Sequence, residues 1–582
     1  MSGIGTVLDI ATTALNAQQQ SMSVVAHNIA NVNTEGYSRQ SPILKTKDPV
    51  VSNGLILGRG VDVDQVAQSS DRLIENRLMQ EKSSLSSSSE MEKYIQVLEG
   101  YFNENSDTGI STMLSDFWNG WYDISNNPSG TAERNSLYEN STLLAEQFNA
   151  LGTDLTQVKS DLTKAVSSGI ETINTITLEI AQLNNQIVGM EANNVANDLR
   201  DKRNALVSEL NQYLDVKTFE QSNGSLTLVS AKGCTLVQGN SNYEMTMGGA
   251  NGDRVIWQDS SGRDVDITDY ISNGKLGGWL DMRDEIVGKY QLDLDSLAKE
   301  VIWSVNQQHS QGVGLEGFST VSGSHQATDT SVALDSSGLS FADKIGDGSF
   351  RLCLYDSSGN YDSDATLTID ADVTSIDAIA TAINAIDGSK ISAAVVDDKL
   401  QISGVNGYEF AFSDDNSNVL AALGINTFFT GSSAGGMSVN ETIGLNKNFI
   451  AAAQIGSDGT MASGDNNNAL AITDLQNTSL SISQWSCDRI NGNTQGSTMS
   501  TIDDYYHSMV GSIGITSSSI SRDKTFSETM VNEISNIRDS ISGVSLDEEL
   551  TNLIKYQHAY AAATKLISTS DEMLNTLLQV KQ

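Results

Sequence analysis

Apolar residues near the start of the chain recur at alternating spacings of four and three: Ile4, Leu8, Ala11, Leu15, Met22, Val25 and Ile29, with Gln18 as the one polar position in the row. This period predicts a helix with a heptad seam. The far end repeats the pattern. Leu546, Leu553, Tyr560, Ile567 and Leu574 recur every seven residues, and Leu550, Gln557, Thr564, Asp571 and Leu578 form a more polar second row. The two ends are therefore expected to pair as a coiled coil.

Between them, Leu73, Ile74 and Leu78, then Tyr94, Ile95 and Leu98, then the run from Leu137 to Leu210 carry helical periodicity. Further helices are expected from Asp281 to Gln308, and two more between Asn468 and Ile541. Residues 216–278 switch to short alternating runs such as Ser225-Leu226-Thr227-Leu228-Val229, broken by Asn-Gly, Gly-Gly and Ser-Gly pairs, the pattern of β hairpins. Residues 320–445 predict strands near Phe350 to Tyr355, Ala365 to Ile369, Ile391 to Val396 and Leu400 to Ile402, with a helix around Ser375 to Ile386. The expected fold class is α+β and multidomain. It comprises a terminal coiled-coil core (1–38 and 546–582) and a discontinuous long-helix rod domain (39–215, 279–319 and 446–545). Two inserted β-rich outer domains (216–278 and 320–445) complete it.

Charge narrows the partners. With 34 Lys and Arg against 73 Asp and Glu, the chain carries a formal charge of -39, which repels nucleic-acid phosphates and anionic membrane surfaces. No run approaches the 18 or so apolar residues that span a bilayer, and the N-terminus lacks the basic region and continuous apolar stretch of a signal peptide. Nucleic acid and membrane are thus excluded as expected partners. At 582 residues the chain exceeds what a single core supports, so several packed units are expected.

The first 38 residues hold two carboxylates and no Lys or Arg, so the helix face opposite the seam is Ser, Thr, Asn, Gln and Ala. Fixing a residue costs roughly 1–2 kcal/mol of backbone entropy and burying a large apolar side chain returns about 1.5–3 kcal/mol, while only about one position in three or four is large and apolar. Either end alone is marginal, and order is expected to arise when ends and subunits pack.

Candidate chemistry is sparse. Gly312-Val313-Gly314-Leu315-Glu316-Gly317 fits G-x-G-x-x-G but follows a helix and opens none, so the phosphate-cradling context is missing. Gly431-Ser432-Ser433-Ala434-Gly435 fits G-x-S-x-G in a loop of small residues without the strand-turn-helix frame of a hydrolase nucleophile. His27, His309, His325, His507 and His558 never fall at i, i+4, and Cys234, Cys353 and Cys487 are isolated thiols without metal or disulfide spacing. No catalytic residue, cofactor or metal ligand is expected.

The segment Asn28-Ile29-Ala30-Asn31-Val32-Asn33-Thr34-Glu35-Gly36-Tyr37-Ser38-Arg39-Gln40 resembles the signature shared by flagellar rod, hook and hook-associated proteins. Its Asn and Gly residues suit a helix stop. The run from Leu546 through Asp547, Glu548, Glu549, Leu550 and Tyr556-Gln557 to Ala563 is similar to the C-terminal helix of the same superfamily, with carboxylates placed where the helix dipole favours them. Three middle tracts resemble the hook-associated protein 1 family in particular: Phe117-Trp118 through Asn127-Pro128 to Arg134; Asp198 to Asn204 leading to Leu210; and Gly277-Gly278 through Arg283-Asp284-Glu285 to Asn306 and His309. Leu420 to Gly431 and Gly464 to Leu470 add to the likeness. The strand-helix-strand-strand block of 320–445 resembles a repeat of flagellar filament proteins.

The resemblance implies a structural, non-enzymatic subunit joining hook to filament, exported from the cytoplasm through the flagellar type III channel to an extracellular position. It also implies partners: the hook protein, the distal hook-associated protein of the junction, further copies of the chain in a ring or helical assembly, and an export chaperone on Leu546 to Leu578. The expected assembly interface comprises Ile4, Leu8, Ala11, Leu15, Met22, Val25, Ile29, Asn31, Asn33, Gly36, Tyr37, Leu546, Leu550, Leu553, Tyr560, Ile567, Leu574 and Leu578. A hook or rod subunit, a secreted adhesin, and a hydrolase using Ser433 stand as alternatives.

Overall fold

The computed structural model describes residues 2–34, 36–52, 55–103, 109–191 and 195–580; Glu35 of the signature segment and residues 1, 581 and 582 of the expected terminal core lie outside these. Helices and small antiparallel sheets alternate along the chain. Helix α1 (Ser2–Ala30) leads through a turn at Asn31–Thr34 into strands β1 (Gln40–Thr46), β2 (Val50–Ser52), β3 (Leu55–Leu57) and β4 (Val61–Gln68). β1 pairs with β4 from Gln40↔Gln68 to Thr46↔Val61 with a bulge between Ile43 and Leu44, and β2 and β3 pair as a hairpin between them.

These strands fall in a stretch assigned to the helical rod domain, ahead of its first expected helix at Leu73. Val50, Val51, Val61, Val63 and Val66, together with Pro42, favour extended chain, and short valine-rich runs hold no helical period.

Helices α2 (Arg72–Tyr101), α3 (Ile110–Asn126), α4 (Thr131–Met190) and α5 (Asn197–Tyr213) follow. Asp71 caps α2 by accepting the N–H groups of Leu73 and Ile74 on Oδ1. On α4, Leu137, Leu144, Leu151 and Val158 form one buried heptad row and Phe148, Leu155 and Leu162 another, so the 60-residue helix, about 90 Å long at 1.5 Å per residue, keeps one face dry.

The chain divides into two compact units: residues 1–93, 162–281 and 519–582, and residues 94–161 and 282–518. In the first, a four-stranded sheet (Lys217–Glu220, Leu226–Val229, Thr235–Gln238, Ser241–Asn242) and a three-stranded sheet (Met245–Gly248, Arg254–Gln258, Asp264–Asp266) realise the expected hairpins. The C-terminal helix Leu546–Val580 also belongs to this unit.

In the second unit, the strand Gly348–Tyr355 lies between Tyr361–Ile369 and Glu409–Ser413, and Lys399–Gly404 lies between Thr320–Ser322 and Ile391–Val396. The helix Ile376–Asn384, capped by the Ser375 hydroxyl, closes this core with Ile376, Ile379 and Ile383 packed beside Phe350, Ile402, Phe410 and Phe412. The strands and helix read from sequence are present; Glu409–Ser413 and Thr320–Ser322 extend them.

Between the expected helices after Asn468, which occur as Asn467–Asp474 and Ile502–Ser542, a hairpin of Leu480–Ser486 and Thr494–Ser500 intervenes. Elsewhere in this unit Arg134 is buried against carbonyls alone: its guanidinium donates to Pro128 O at 2.7 Å, Lys447 O at 3.1 Å and Ile450 O at 2.7 Å, and burial lowers its pKa to about 10.

Candidate assembly interface

α1 and the C-terminal helix pack along one another in the first unit. The last turn of α1 meets the first turn of its partner, since Asn28 Nδ2 donates to Glu549 Oε2 at 3.0 Å, and the pair is therefore antiparallel. On α1, Ala11, Ala17, Ser21, Val25 and Asn28 are buried, whereas Ile4, Leu8, Leu15, Met22 and Ile29 are half-buried. On the C-terminal helix the row Leu553, Tyr560, Ile567 and Leu574 turns inward and is half-buried.

Its companion is not the second row read from sequence. Glu549, Tyr556, Ala563 and Ser570, one residue earlier, face inward, while Leu546, Leu550 and Leu578 are 45%, 49% and 63% exposed. Two causes act along this row. At its start Glu549 is held by Asn28 and Arg39, and further on Ala563 and Ser570, like Ala11, Ala17 and Ser21 on α1, let two backbones approach closely.

The signature segment builds a polar joint at the base of this pair. Asn28 exhausts its amide: Nδ2 donates to Gln40 O at 2.8 Å as well as to Glu549, and Oδ1 accepts from Gln40 N at 3.0 Å and the Tyr37 hydroxyl at 2.7 Å. Arg39 completes it, Nε donating to Glu549 Oε1 at 2.8 Å, Nη1 to Glu548 at 3.0 Å and its amide to Ser542 O at 2.9 Å. Asn31 caps the end of α1 by donating from Nδ2 to His27 O at 3.0 Å, and accepts from the Thr34 hydroxyl at 3.2 Å. Gly36 turns the chain at φ +79, a left-handed conformation that favours glycine. Asn33 is exposed.

The start of α5 is pinned to the same joint. Asp198 meets His27 Nε2 at 3.2 Å and accepts from Gln40 Nε2 at 3.1 Å; Asp201 accepts from Gln68 Nε2 at 2.9 Å; Asn197 Nδ2 donates to Val66 O at 2.9 Å. Burial, helped by the neighbouring Asp198 and opposed by hydrogen bonds from Ser38 and Gln68, pushes the Asp201 carboxyl up to about 6. Burial and then the charges of Asp198, Asp201 and Glu549 raise the Tyr37 phenol, so it stays a neutral donor.

Asn31, Asn33, Thr34, Gly36, Tyr37 and Arg39 also line a cleft of about 500 Å³ against Arg538, Asp539, Gly543 and Glu548. Sequence periodicity missed Asn28, Gln40, Asp198, Asp201 and Glu549 as parts of the joint. The one signal for Glu549 was its place three residues after Leu546, an acidic residue at a seam position.

This arrangement orders backbone and buries side chains; it offers no nucleophile beside a base. Gly312 and Gly314 serve close packing, with Val313 N donating to Ala453 O at 2.8 Å and Leu315 N to Asn448 O at 2.7 Å. Ser433 precedes a single 3₁₀ turn, Ala434–Gly436, rather than a helix. Among the described residues no group of three or more His, Cys, Asp or Glu side chains is placed to hold a metal, and no helix is long and apolar enough to cross a membrane. The three cysteines are free, with Cys234 and Cys353 buried.

Family comparisons agree with the order of these elements. Residues 95–323 match the helical domain of flagellar hook-associated protein FlgK, residues 8–37 the flagella basal body rod protein family, and residues 539–580 the C-terminal region of the flagellar basal body rod FlgEFG proteins. Flagellar hook-associated protein 1 of Salmonella typhimurium is 26% identical over 99% of this chain and 100% of its own length, that of Bacillus subtilis 25% over 98% and 97%, and that of Escherichia coli 25% over 99% and 100%. In fold, the chain resembles the flagellar hook junction protein FlgK of Burkholderia pseudomallei with a TM-score of 0.52 and 18% identity, across 80% of this chain and 100% of that one.

Proposed function

The chain belongs to the flagellar hook-associated protein 1 family, and from that premise we propose that it is a structural subunit of the bacterial flagellum that joins hook to filament, assembling through its terminal helices. The observation that carries the assembly mechanism is the unspent apolar surface of the C-terminal helix. Once Leu553, Tyr560, Ile567 and Leu574 are turned toward α1, Leu546, Leu550, Ile554, Leu566, Met573, Leu577 and Leu578 remain exposed. Covering each would return roughly 1 kcal/mol or more, so packing several against neighbouring subunits supplies several kcal/mol per copy.

α1 suits a crowded core. Asp9 is its one carboxylate and it carries no Lys or Arg, so neighbours on several sides meet little desolvation cost. The expected interface is retained in this sense: Ile4, Leu8, Ala11, Leu15, Met22, Val25 and Ile29 with Leu553, Tyr560, Ile567 and Leu574 join the two ends. Asn31, Asn33, Gly36 and Tyr37 shape the base, and Leu546, Leu550 and Leu578 face other subunits. The coiled-coil core, the discontinuous rod domain and the two outer β-rich domains, with the boundaries given above, form part of the same proposal.

The partners follow from it: hook protein on one side, the distal hook-associated protein on the other, further copies alongside, and an export chaperone on the C-terminal helix before secretion to the hook-filament junction. The rod families match the two ends alone; the helical-domain match over 95–323 favours a junction subunit over a rod or hook subunit.

The test is electron microscopy of isolated hooks lacking junction proteins, incubated with the full chain or with a version missing residues 1–38. The expected result is capping of the distal hook end by the full chain alone. Absence of binding by either version overturns the junction role, and equal binding by both overturns the part given to the terminal helices.

A further inference from the structure

The hairpin of Leu480–Ser486 and Thr494–Ser500 is a two-stranded sheet with two very different edges. In an antiparallel ladder, alternate residues point their main-chain groups outward. On the first strand two of those outward groups are closed by side chains of the same unit: Trp485 N donates to Asp293 Oδ1 at 2.8 Å and Ser483 O accepts from the Tyr505 hydroxyl at 2.8 Å. Burial and the neighbouring Asp293 raise the Tyr505 phenol, so it remains a donor. Trp485 Nε1 also donates to the Ser296 hydroxyl at 3.0 Å, so this strand is fastened to the helix Val287–His309.

The second strand has no such closure. Its register against the first runs without a shift from Leu480↔Ser500 to Ser486↔Thr494, so Gln495, Ser497 and Met499, facing Trp485, Ser483 and Ser481, are the residues with outward main-chain groups. Those groups meet no partner among the described residues, and all three residues are exposed, Met499 by 66%.

Edges of this kind are normally blunted by charge, proline, a bulge or a covering element. None is present. From Ile490 to Thr501 there is no charged residue and no proline. Gly496 sits in mid-strand, where an added Cβ would meet only Gln484 O at 3.8 Å, and glycine within an unbulged strand marks a place where another backbone can come close.

We propose that the Thr494–Ser500 edge accepts an extended segment from a second copy of this chain, adding a third strand to the hairpin when subunits assemble. The occupant follows from charge. Each copy carries -39, and two copies approach at less cost along a strand that itself holds no carboxylate, where attraction comes from main-chain hydrogen bonds. Ile490, 71% exposed at the hairpin turn, and Met499 are the apolar anchors beside the edge. This inference rests on the self-assembly proposed above and adds to it a contact remote in sequence from the terminal helices.

The experiment follows amide hydrogen exchange at Gln495, Ser497 and Met499 in the full chain, first dilute and then self-assembled at high concentration without other flagellar proteins. The expected result is fast exchange in the dilute chain and at least 100-fold slower exchange at these amides on assembly. Slowed exchange in the terminal helices with no change at the three amides overturns the inference and leaves the assembly role standing. A chain that stays monomeric overturns both, and protection that appears only when a different junction protein is added overturns the choice of occupant. Ser497→Pro removes an outward N–H that the hairpin does not use. With unchanged circular dichroism it should self-associate at least tenfold more weakly, while Ser497→Ala associates as the natural chain does; equal association of both variants overturns the inference.

Discussion

Replacing Asp201 by Asn should stabilise the joint at neutral pH and do so less in acid. Asp201 is 9% exposed and its carboxyl is pushed from 3.8 to about 6, so in the folded chain it resists ionisation that the unfolded chain undergoes freely. The unfolded state therefore gives up its proton first as pH rises. Stability contributed at this site is intact below about pH 4, falls between about 4 and 6, and stays reduced above. The full penalty at pH 7 is about 3 kcal/mol at 1.36 kcal/mol per tenfold, and about 1.6 kcal/mol at pH 5. Screening by solvent at the rim of the site trims these to about 2 and about 1 kcal/mol. Asp201→Asn keeps the shape and cannot ionise, so it should exceed the natural chain by those amounts. The assay is amide exchange of the Asn197–Tyr213 helix in both proteins at pH 5 and 7, clear of the pI of 4.3 where the chain has no net charge to keep it dispersed. An Asn variant whose advantage is the same at both pH values, or absent at pH 7, refutes the reasoning.

Three further outcomes are expected. Glu549→Ala leaves Arg39 Nε and one Asn28 donor without their partner in a site where Glu549 is 1% exposed, so docking of the two terminal helices should weaken by about 3 kcal/mol, read as a roughly 100-fold loss of amide protection in the first turns of the C-terminal helix. The double change Leu550→Glu with Leu577→Glu should leave the melting of the isolated chain within about 0.5 kcal/mol, because both side chains are half exposed, and abolish capping of hooks in electron micrographs. Arg134→Met orphans the carbonyls of Pro128, Lys447 and Ile450 while relieving a buried charge, and the net should be a loss of about 2–3 kcal/mol, seen as a lower urea midpoint.

The terminal helices were legible because their apolar residues keep one period over many turns, and the strands of 348–404 because short apolar runs such as Leu367 and Ile369, alternating with Thr366 and Thr368, lie between Ser-Gly and Asp-Gly turns. The partner row on the C-terminal helix was misread by one residue for a physical reason. Leu550 and Leu578 outrank Glu549, Ala563 and Ser570 in hydrophobicity, but Glu549 is drawn in by Asn28 and Arg39 and the small Ala563 and Ser570 allow close approach of the two helices. The joint was hidden for a different reason: Asn28, Asp198, Asp201 and Glu549 are polar, three chain segments apart, and become a unit only when α1, α5 and the C-terminal helix converge. The strands of 40–68 and the hairpin of 480–500 were missed because they are short interruptions of helical stretches, built from Ser, Thr and Val with no strong alternation.

Asn28 also sets an order of events. Its amide bridges Gln40, made a few residues later, and Glu549, which lies 521 positions further along. A chain growing from its N-terminus can satisfy the first contact almost at once and the second only once it has reached residue 549. For all that interval α1 exists without the helix that covers it, and a product broken off anywhere before residue 549 can never close the joint. The geometry of one side chain thus records whether the C-terminal helix has been made, and separates chains that can close the joint from shorter fragments before any of them meets a neighbour.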